Sequence, residues 1–413
     1  MDFLTKVFLV YSFIAFYFMF LFILIYVQNR KKIMWAPKAK KNYEVGVVIP
    51  CYKEGKTVGK VIESFINNGY DNLKKIVVVD DCSPDDSFEI AKKYEKKYPG
   101  LVFAVQTPKN TGCAAGSKNY GARLIDTEII IFGDADSFPE KGSIGKALGF
   151  FDEKNVAAVT SNVLVKNRTN ILLMLQAVEY IIIKFTRKLL EFVGSIYVTP
   201  GPLAMYRKSV FDKIGGFDDK NMTEDIEITW RLLANGYDVK MSADSKVYAE
   251  SPEKFKAWFK QRIRWNLGGI QCIFKYKKSW GRQGMLGAFV LPFFVFSWLL
   301  GVFGLGVLLY RAIRTIIVRS LLTSYSVEAN AAILSLRDIS LNPSILAYIG
   351  IVLLTISVTY SLIALFSVKE RKEYKRPTVF TFIVYEFFYL LMYPIILVAS
   401  GWKYMRGDIR WFK

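Results

Sequence analysis

Four long apolar runs and three short β-branched runs set the frame of this chain. Residues 7–27, 284–310 and 341–368 carry no charged side chain, and residues 377–402 carry only Glu386. Each run is long enough to cross roughly 30 Å of hydrocarbon as a helix. The stretch between them is built differently. Residues 44–50 (EVGVVIP), 75–79 (KIVVV) and 129–132 are short and β-branched, with a helix-like stretch at 57–67 after the first. Strands alternating with helices predict a parallel α/β sheet, in which ligands bind beyond the carboxyl ends of the strands. The positions of most interest are therefore Cys51-Tyr52-Lys53-Glu54, Asp80-Asp81-Cys82-Ser83 and Gly133-Asp134-Ala135-Asp136.

The pattern divides the chain into an anchor with a basic juxtamembrane segment (1–43), a cytosolic domain (44–283) and a C-terminal membrane region of about three spans (284–413). Arg30, Lys31, Lys32, Lys38, Lys40 and Lys41 follow the first run with no acid before Glu44, which places that end in the cytoplasm. The run is long, its basic residues come after it, and it lacks a small-residue cleavage site, so it reads as an anchor rather than a signal peptide. The basic loop 369–376 (KERKEYKR) also suits the cytoplasm. The basic tail, with Lys403, Arg406, Arg410 and Lys413, suits it too, whereas four spans would put that tail outside. The last run, with Glu386 and Pro394, is the weakest span, with a re-entrant segment as its alternative. Glu386 is either a pathway residue or a helix-packing carboxyl. Residues 171–193, interrupted by Glu179, Lys184, Arg187, Lys188 and Glu191, fit either an interfacial helix with snorkelling cations or an amphipathic core helix. Residues 255–276, mixing Trp258, Phe259, Trp265 and Phe274 with Lys and Arg, fit the interfacial kind.

Composition narrows the chemistry. The 413 residues are 52% hydrophobic and 15% aromatic, too apolar for a soluble protein of this size. There is no histidine. That removes Ser-His-Asp and Cys-His pairs, HExxH zinc sites and any histidine base, leaving carboxylates, Lys, Arg, Tyr or a metal to do the work. Four scattered cysteines (Cys51, Cys82, Cys113, Cys272) make no metal or disulfide pattern and read as buried, reduced thiols. The net charge of +20 clusters beside the apolar runs, where anionic headgroups explain it better than nucleic acid does.

Asp134 and Asp136 are two apart, so in an extended segment their carboxylates point the same way and can share a hard divalent cation, which would hold a diphosphate as leaving group. Thr223-Glu224-Asp225 opens a helix-like run at 226–234; there Thr223 suits an N-cap and the acids suit a first turn, a role compatible with catalysis. Gln261, Arg264 and Trp265 share one helical face, presenting an amide, a phosphate-binding guanidinium and an aromatic platform; a basic interfacial helix with a Trp anchor fits them as well.

Taken in order, VVIPCYKE, VVVDDCSPDD, NTGCAAGSKNYG, GDADS, GGFDDKNMTED and QRIRW resemble the family-2 inverting glycosyltransferases. The resemblance is to the membrane-embedded branch that includes cellulose, chitin, hyaluronan and poly-N-acetylglucosamine synthases. It implies an α/β GT-A-type (Rossmann-like), mostly parallel sheet domain inserted between transmembrane helices. It assigns Pro50, Tyr52, Glu54 and Asp80 or Asp81 to the nucleotide, Asp134 and Asp136 to the diphosphate and a Mg²⁺ or Mn²⁺ ion, and Asp225 to the general base. Gln261 and Arg264 fall to the diphosphate, and Glu224 and Trp265 to the acceptor. One departure stands out: residues 110–121 place Cys113 where the family commonly has Lys, with one extra residue before Asn119, and Lys118 is the candidate to supply that charge at the nucleotide.

The expected activity is processive extension of a polysaccharide from a UDP-sugar, with inversion, at the plasma membrane. Single-sugar transfer to a polyprenyl phosphate or glycolipid is the alternative, and a non-enzymatic transporter or receptor the remote one. Expected partners are a nucleotide-sugar, a glycan or lipid-linked acceptor and membrane lipids, with no nucleic acid.

Overall fold

The structure is a computed structural model that describes residues 3–328, 345–367 and 377–409. The chain opens with α1 (Phe3–Asn29) and continues through β1 (Val45–Cys51), α2 (Val58–Ile66), β2 (Leu73–Asp80), α3 (Ser87–Lys97), β3 (Val102–Gln106), α4 (Ala114–Ala122) and β4 (Ile129–Phe132). Then come β5 (Ser137–Pro139), α5 (Gly145–Leu148), β6 (Val156–Val165), α6 (Ile171–Glu191), β7 (Ala204–Arg207), α7 (Lys208–Lys213), α8 (Glu224–Ala234), β8 (Asp238–Ala249) and α9 (Phe255–Lys275). The apolar helices α10 (Leu291–Glu328), α11 (Ile345–Ser367) and α12 (Val379–Met405) follow.

All eight strands join one sheet in the order β3-β2-β1-β4-β7-β6-β8-β5. β1, β2, β3 and β4 pair in parallel, as the strand-helix alternation predicts, and β6 pairs in parallel with β8. β7 and β5 run against their neighbours. The central strands β1 and β4 are apolar throughout because both faces are covered. Val45, Val47 and Ile49 of β1, with Ile129 and Ile131 of β4, pack into one core under α2 and α5. The alternate residues Val48, Ile130 and Phe132 point into the other core, against Phe217 and Trp230. Fully burying each such side chain stabilises the fold by about 1.5–3 kcal/mol.

Among the described residues, three helices are long and apolar enough to cross a membrane, within Leu9–Lys32, Leu286–Glu328 and Val379–Met405. One expectation changes: the run expected to stop at 310 continues as helix past Arg314 and Arg319 to Glu328. The span expected at 341–368 coincides with α11 over its described residues. The ends of that expected span, the basic loop 369–376 and residues 410–413 lie outside the described residues. α12 is one continuous helix with Pro394 inside it, not a re-entrant loop. Glu386 does not line the cavity described below.

α6 departs furthest from the interfacial reading. Its Glu179, Lys184, Arg187, Lys188 and Glu191 do not snorkel; all are buried. The reason is position, for α6 packs on β6 and β8 on one side and on α1, α11 and α12 on the other. α9 is likewise half interior: Trp258, Arg262, Ile263 and Leu267 are buried, while Lys256 and Lys260 face outward. The cysteines are all free, but only Cys51 and Cys272 are fully buried.

Candidate active site

The parallel register brings the ends of three strands to one edge of the sheet. Cys51 pairs with Asp80, Val48 with Phe132, and the Asp81 amide donates to the Cys51 carbonyl. Beyond this edge lies a cavity of about 980 Å³. It is lined by Pro50, Tyr52, Glu54, Asp81, Lys118, Asp134 and Asp136 at the strand ends, and by Glu224, Asp225, Gln261, Arg264 and Trp265 beyond them. Every residue assigned from the resemblance therefore reaches one space, with one exception. Asp80 is buried behind it, where its carboxylate accepts from the Ser83 amide and the Gln106 side chain. Asp81 is tied down by Thr107 and by both the amide and the hydroxyl of Thr111. Lys53 and Cys82, just past β1 and β2, hold left-handed backbone (φ 61° and 58°), an uncommon state for such residues that clusters at functional sites.

Asp134 and Asp136 are not in an extended segment. The Ser137 amide donates to the Asp134 carbonyl and closes a turn between β4 and β5, yet both carboxylates still line the cavity. Burial, then repulsion from Asp134, pushes the Asp136 carboxyl up to about 7. Crowded carboxylates of this kind favour a cation between them. Among the described residues no group of three or more Cys, Asp or Glu is arranged as a complete metal site. The pair fits a hard divalent ion that takes its other ligands from a substrate's oxygens and water.

Lys118, on α4, is 2% exposed and joins this corner to the next. Its Nζ lies 2.8 Å from Glu224 Oε1 and 3.5 Å from Asp134 Oδ1. Gly201 lets the loop after α6 lie over the pair, since a Cβ there would sit 3.0 Å from both Asp134 carboxylate oxygens and the lysine. Lys118 also sets two adjacent carboxylates apart. Burial alone would raise Glu224, but the lysine's charge and hydrogen bond overcome it and hold that carboxyl below its usual range. Asp225 is pushed up to about 7, by burial first and the Glu224 charge second. Environments that drive neighbouring titrating groups apart mark the ionised and the proton-accepting partner. The Thr223 side chain does not cap α8; it bonds to Asn221 instead.

Gln261, Arg264 and Trp265 share the cavity-facing side of α9. The Arg262 guanidinium lies 4.1 Å from the Trp265 ring centroid. Arg262 is gripped by both carboxylate oxygens of Glu179 on α6, and the Tyr389 hydroxyl of α12 donates to the same carboxylate at 2.7 Å. Sequence reasoning overlooked this triad, and it overlooked Tyr385, Tyr389 and Tyr393, which line the cavity from α12. Their i, i+4, i+8 spacing was the available signal. The cavity continues from the strand ends to these tyrosines and to Phe293, Phe294 and Trp298 of α10.

A sheet of this order, with carboxylates at its strand ends and an aromatic-walled extension, defines a GT-A-type glycosyltransferase. Residues 42–268, over half of the chain, match Glycosyltransferase like family 2, and the chain belongs to that family. It is 28% identical over 279 residues to the "Probable glycosyltransferase YdaM" of Bacillus subtilis (strain 168), covering 65% of this chain and 66% of that protein. It is 25% identical over 251 residues to "Poly-beta-1,6-N-acetyl-D-glucosamine synthase" of Staphylococcus epidermidis, covering 60% of each. The chain thus spans just under two thirds of the length of these curated relatives. Its fold is similar to that of "Mannosyltransferase PcManGT from Pyrobaculum calidifontis in complex with GDP-Man and Mn2+" (TM-score 0.59, 16% identity, 95% of this chain and 97% of that one).

Proposed function

We propose that this enzyme transfers a sugar from a UDP-sugar to a hydroxyl of a growing polysaccharide, with inversion at the anomeric carbon and repeated addition to the same chain. The observation that carries the reading is the single cavity that puts nucleotide-edge carboxylates at one end, Asp225 in the middle and aromatic walls on membrane-length helices at the other. Asp225 takes the proton of the acceptor hydroxyl as its oxygen bonds to the anomeric carbon and the bond to the diphosphate breaks. Arg264 and Gln261 meet the departing nucleoside diphosphate, and Trp265 underlies the acceptor sugar. Asp134 and Asp136 would hold Mg²⁺ or Mn²⁺, which supplies charge neutralisation at the diphosphate. Glu224, committed to Lys118, supports Asp225 at the edge of the acceptor site. Tyr52, Glu54, Asp81 and Pro50 hold the nucleotide, with Asp80 bracing the strand end behind them.

Membrane-length helices on both sides of residues 44–283, with basic residues just after α1, support a plasma-membrane protein whose catalytic domain is cytosolic, where nucleotide-sugars are found. The test is product size after incubation with single radiolabelled UDP-sugars, UDP-N-acetylglucosamine first because of the Staphylococcus relatives' name. Polymer supports the reading and a single sugar on lipid replaces it with the alternative. Asp225→Asn should lose transfer by about 10²–10⁴-fold while still binding UDP.

A further inference from the structure

Length and apolar composition count α12 among the helices able to cross a membrane, but its neighbours fix its direction. In its first half, Phe388 meets Phe255 and Trp258 of α9, with ring centroids 6.5 Å and 5.1 Å apart, and Tyr389 meets Trp258 at 5.9 Å. At its end, Tyr404 stacks on Phe274 of α9 at 5.1 Å, the rings 4° from parallel. Between these points Met392, Ile396 and Ala399 share one apolar cluster with Trp258, Ile263 and Leu267 of α9. The two helices therefore run side by side, in the same direction, from Phe388 to Tyr404, about 24 Å at 1.5 Å per residue.

Such a pair crosses a bilayer together or not at all. α9 does not cross, because it carries Lys256, Lys260, Arg262, Arg264 and Lys275 and is held by the catalytic domain at both ends. It starts a short loop after β8, and Lys275 at its far end donates to Asp218 and Glu227. The α12 segment beside it thus keeps both of its ends on the catalytic domain's side. α12 meets α10 early in that helix, with Trp298 against Gly401 and Leu397 against Gly301, while α10 continues to Glu328.

The two faces of α12 meet different surroundings. Tyr389, Ile396, Leu397 and Ser400 are buried, and Tyr385, Tyr389 and Tyr393 line the cavity. On the opposite side Phe380, Phe387, Leu391, Val398, Trp402 and Met405 form one stripe, each 45–74% exposed. An apolar stripe of this length marks an interaction surface. The Arg406 guanidinium, 4.5 Å from the Trp402 ring centroid, supplies a Trp-cation pair suited to the headgroup level.

We propose that α12 is not a span but lies in the plane of the membrane, its outward stripe docked on the bilayer at the catalytic domain's side and its inner face roofing the cavity. The stripe's partner is the boundary between headgroups and acyl chains, into which such helices sink by about 5–10 Å. The chain then crosses three times: α1 leads to the catalytic side, α10 leaves it and α11 returns to it. Lys403 and Arg406 come out on the same side as the basic residues after α1, where four spans would have separated them. That this side is the cytosol rests on the orientation proposed above, and the experiment separates the two claims.

The full chain is expressed as Asp408→Cys and as Asp71→Cys, both exposed positions, the second on the catalytic domain. A membrane-impermeant maleimide is applied to intact cells and to inverted vesicles, and peptide mass spectrometry reads the label at each position. Both cysteines should label in inverted vesicles and neither in intact cells. Label at Asp408→Cys from the side opposite to Asp71→Cys overturns the proposal. Label at both in intact cells keeps α12 in the plane and overturns the cytosolic reading instead. UDP binding reports folding; should either variant fail, an impermeant amine reagent compares Lys403 with Lys74 in the parent and decides the same question. Depth is the second measurement. Spin labels at Leu391→Cys and Trp402→Cys, in vesicles of phosphatidylcholine and phosphatidylglycerol, should sit at one shallow depth. A crossing helix would hold them about 15 Å apart in depth, and that result overturns the proposal.

Discussion

Replacing Glu179 by Gln isolates the contact that ties the membrane helices to the aromatic platform. The Glu179 carboxylate accepts from Nε and Nη2 of Arg262 and from the Tyr389 hydroxyl, so three donors from two helices converge on one side chain of a third. Arg262 is 1% exposed. The amide keeps the shape and some hydrogen bonding but leaves the guanidinium buried without a counter-charge, and breaking a buried pair from one side destabilises by about 3–5 kcal/mol. One edge of Arg262 borders the cavity, so the lower end, about 3 kcal/mol, is expected. Tyr389→Phe removes one neutral donor to a charged acceptor and should cost about 1.5 kcal/mol. Thermal and denaturant unfolding of the detergent-solubilised chain would measure both.

The same change has a functional reading. Because Arg262 stacks on Trp265, releasing it should let the indole move, which harms sugar transfer to a glycan more than hydrolysis of the donor by water. The double variant Glu179→Leu with Arg262→Met removes both charges at similar volume. It should regain most of the stability, as buried pairs replaced by apolar groups often do, but not the transfer rate. A Glu179→Gln protein within about 0.5 kcal/mol of the parent would refute the argument, since that is the range of a surface substitution.

The pH profile should show the raised carboxyl of Asp225: it is protonated below about 7 and then cannot accept a proton, so kcat/KM climbs as pH rises through neutrality. Glu224→Gln removes a charge that raises Asp225, so the acid limb should move to lower pH; an unmoved limb would show that another group is being titrated. Asp136→Asn should abolish metal-dependent UDP release, and full activity of the parent in excess EDTA would dismiss the carboxylate pair as a cation site. Gly268→Ala would place a methyl carbon 1.8 Å from the Thr223 hydroxyl, forcing α8 and α9 apart, so transfer should fall more steeply than UDP binding.

The sheet and its ligand edge were legible because they rest on local pattern. EVGVVIP and KIVVV can only be short buried strands, and the residues after them land where the strands end. The Asp225 region was legible as chemistry but not as physics: nothing in the string TED says that Lys118, over a hundred residues earlier, would hold one carboxylate ionised and leave its neighbour to titrate near neutrality. α6 stayed open between two readings for the same reason. Charges in an apolar helix imply a wet face only if the helix lies at a surface, and the burial of Arg187 and Glu179 comes from elements distant in the chain on both sides of α6.

These long-range contacts give the molecule its organisation. α6 carries Glu179, which positions the platform on α9, and Arg187, which lines the cavity, and it packs directly on the sheet that supports the strand-end carboxylates. A shift of α10 or α12 in the membrane must therefore displace one wall of the cavity while the sheet holds the other, because Tyr389 and Trp298 belong to both the membrane helices and the cavity lining. Close-packed interfaces of this sort move between discrete arrangements rather than deforming smoothly. Sugar transfer at Asp225 and occupancy of the membrane-side cavity are thus coupled through one helix, and the coupling should weaken in Glu179→Gln even where the nucleotide still binds.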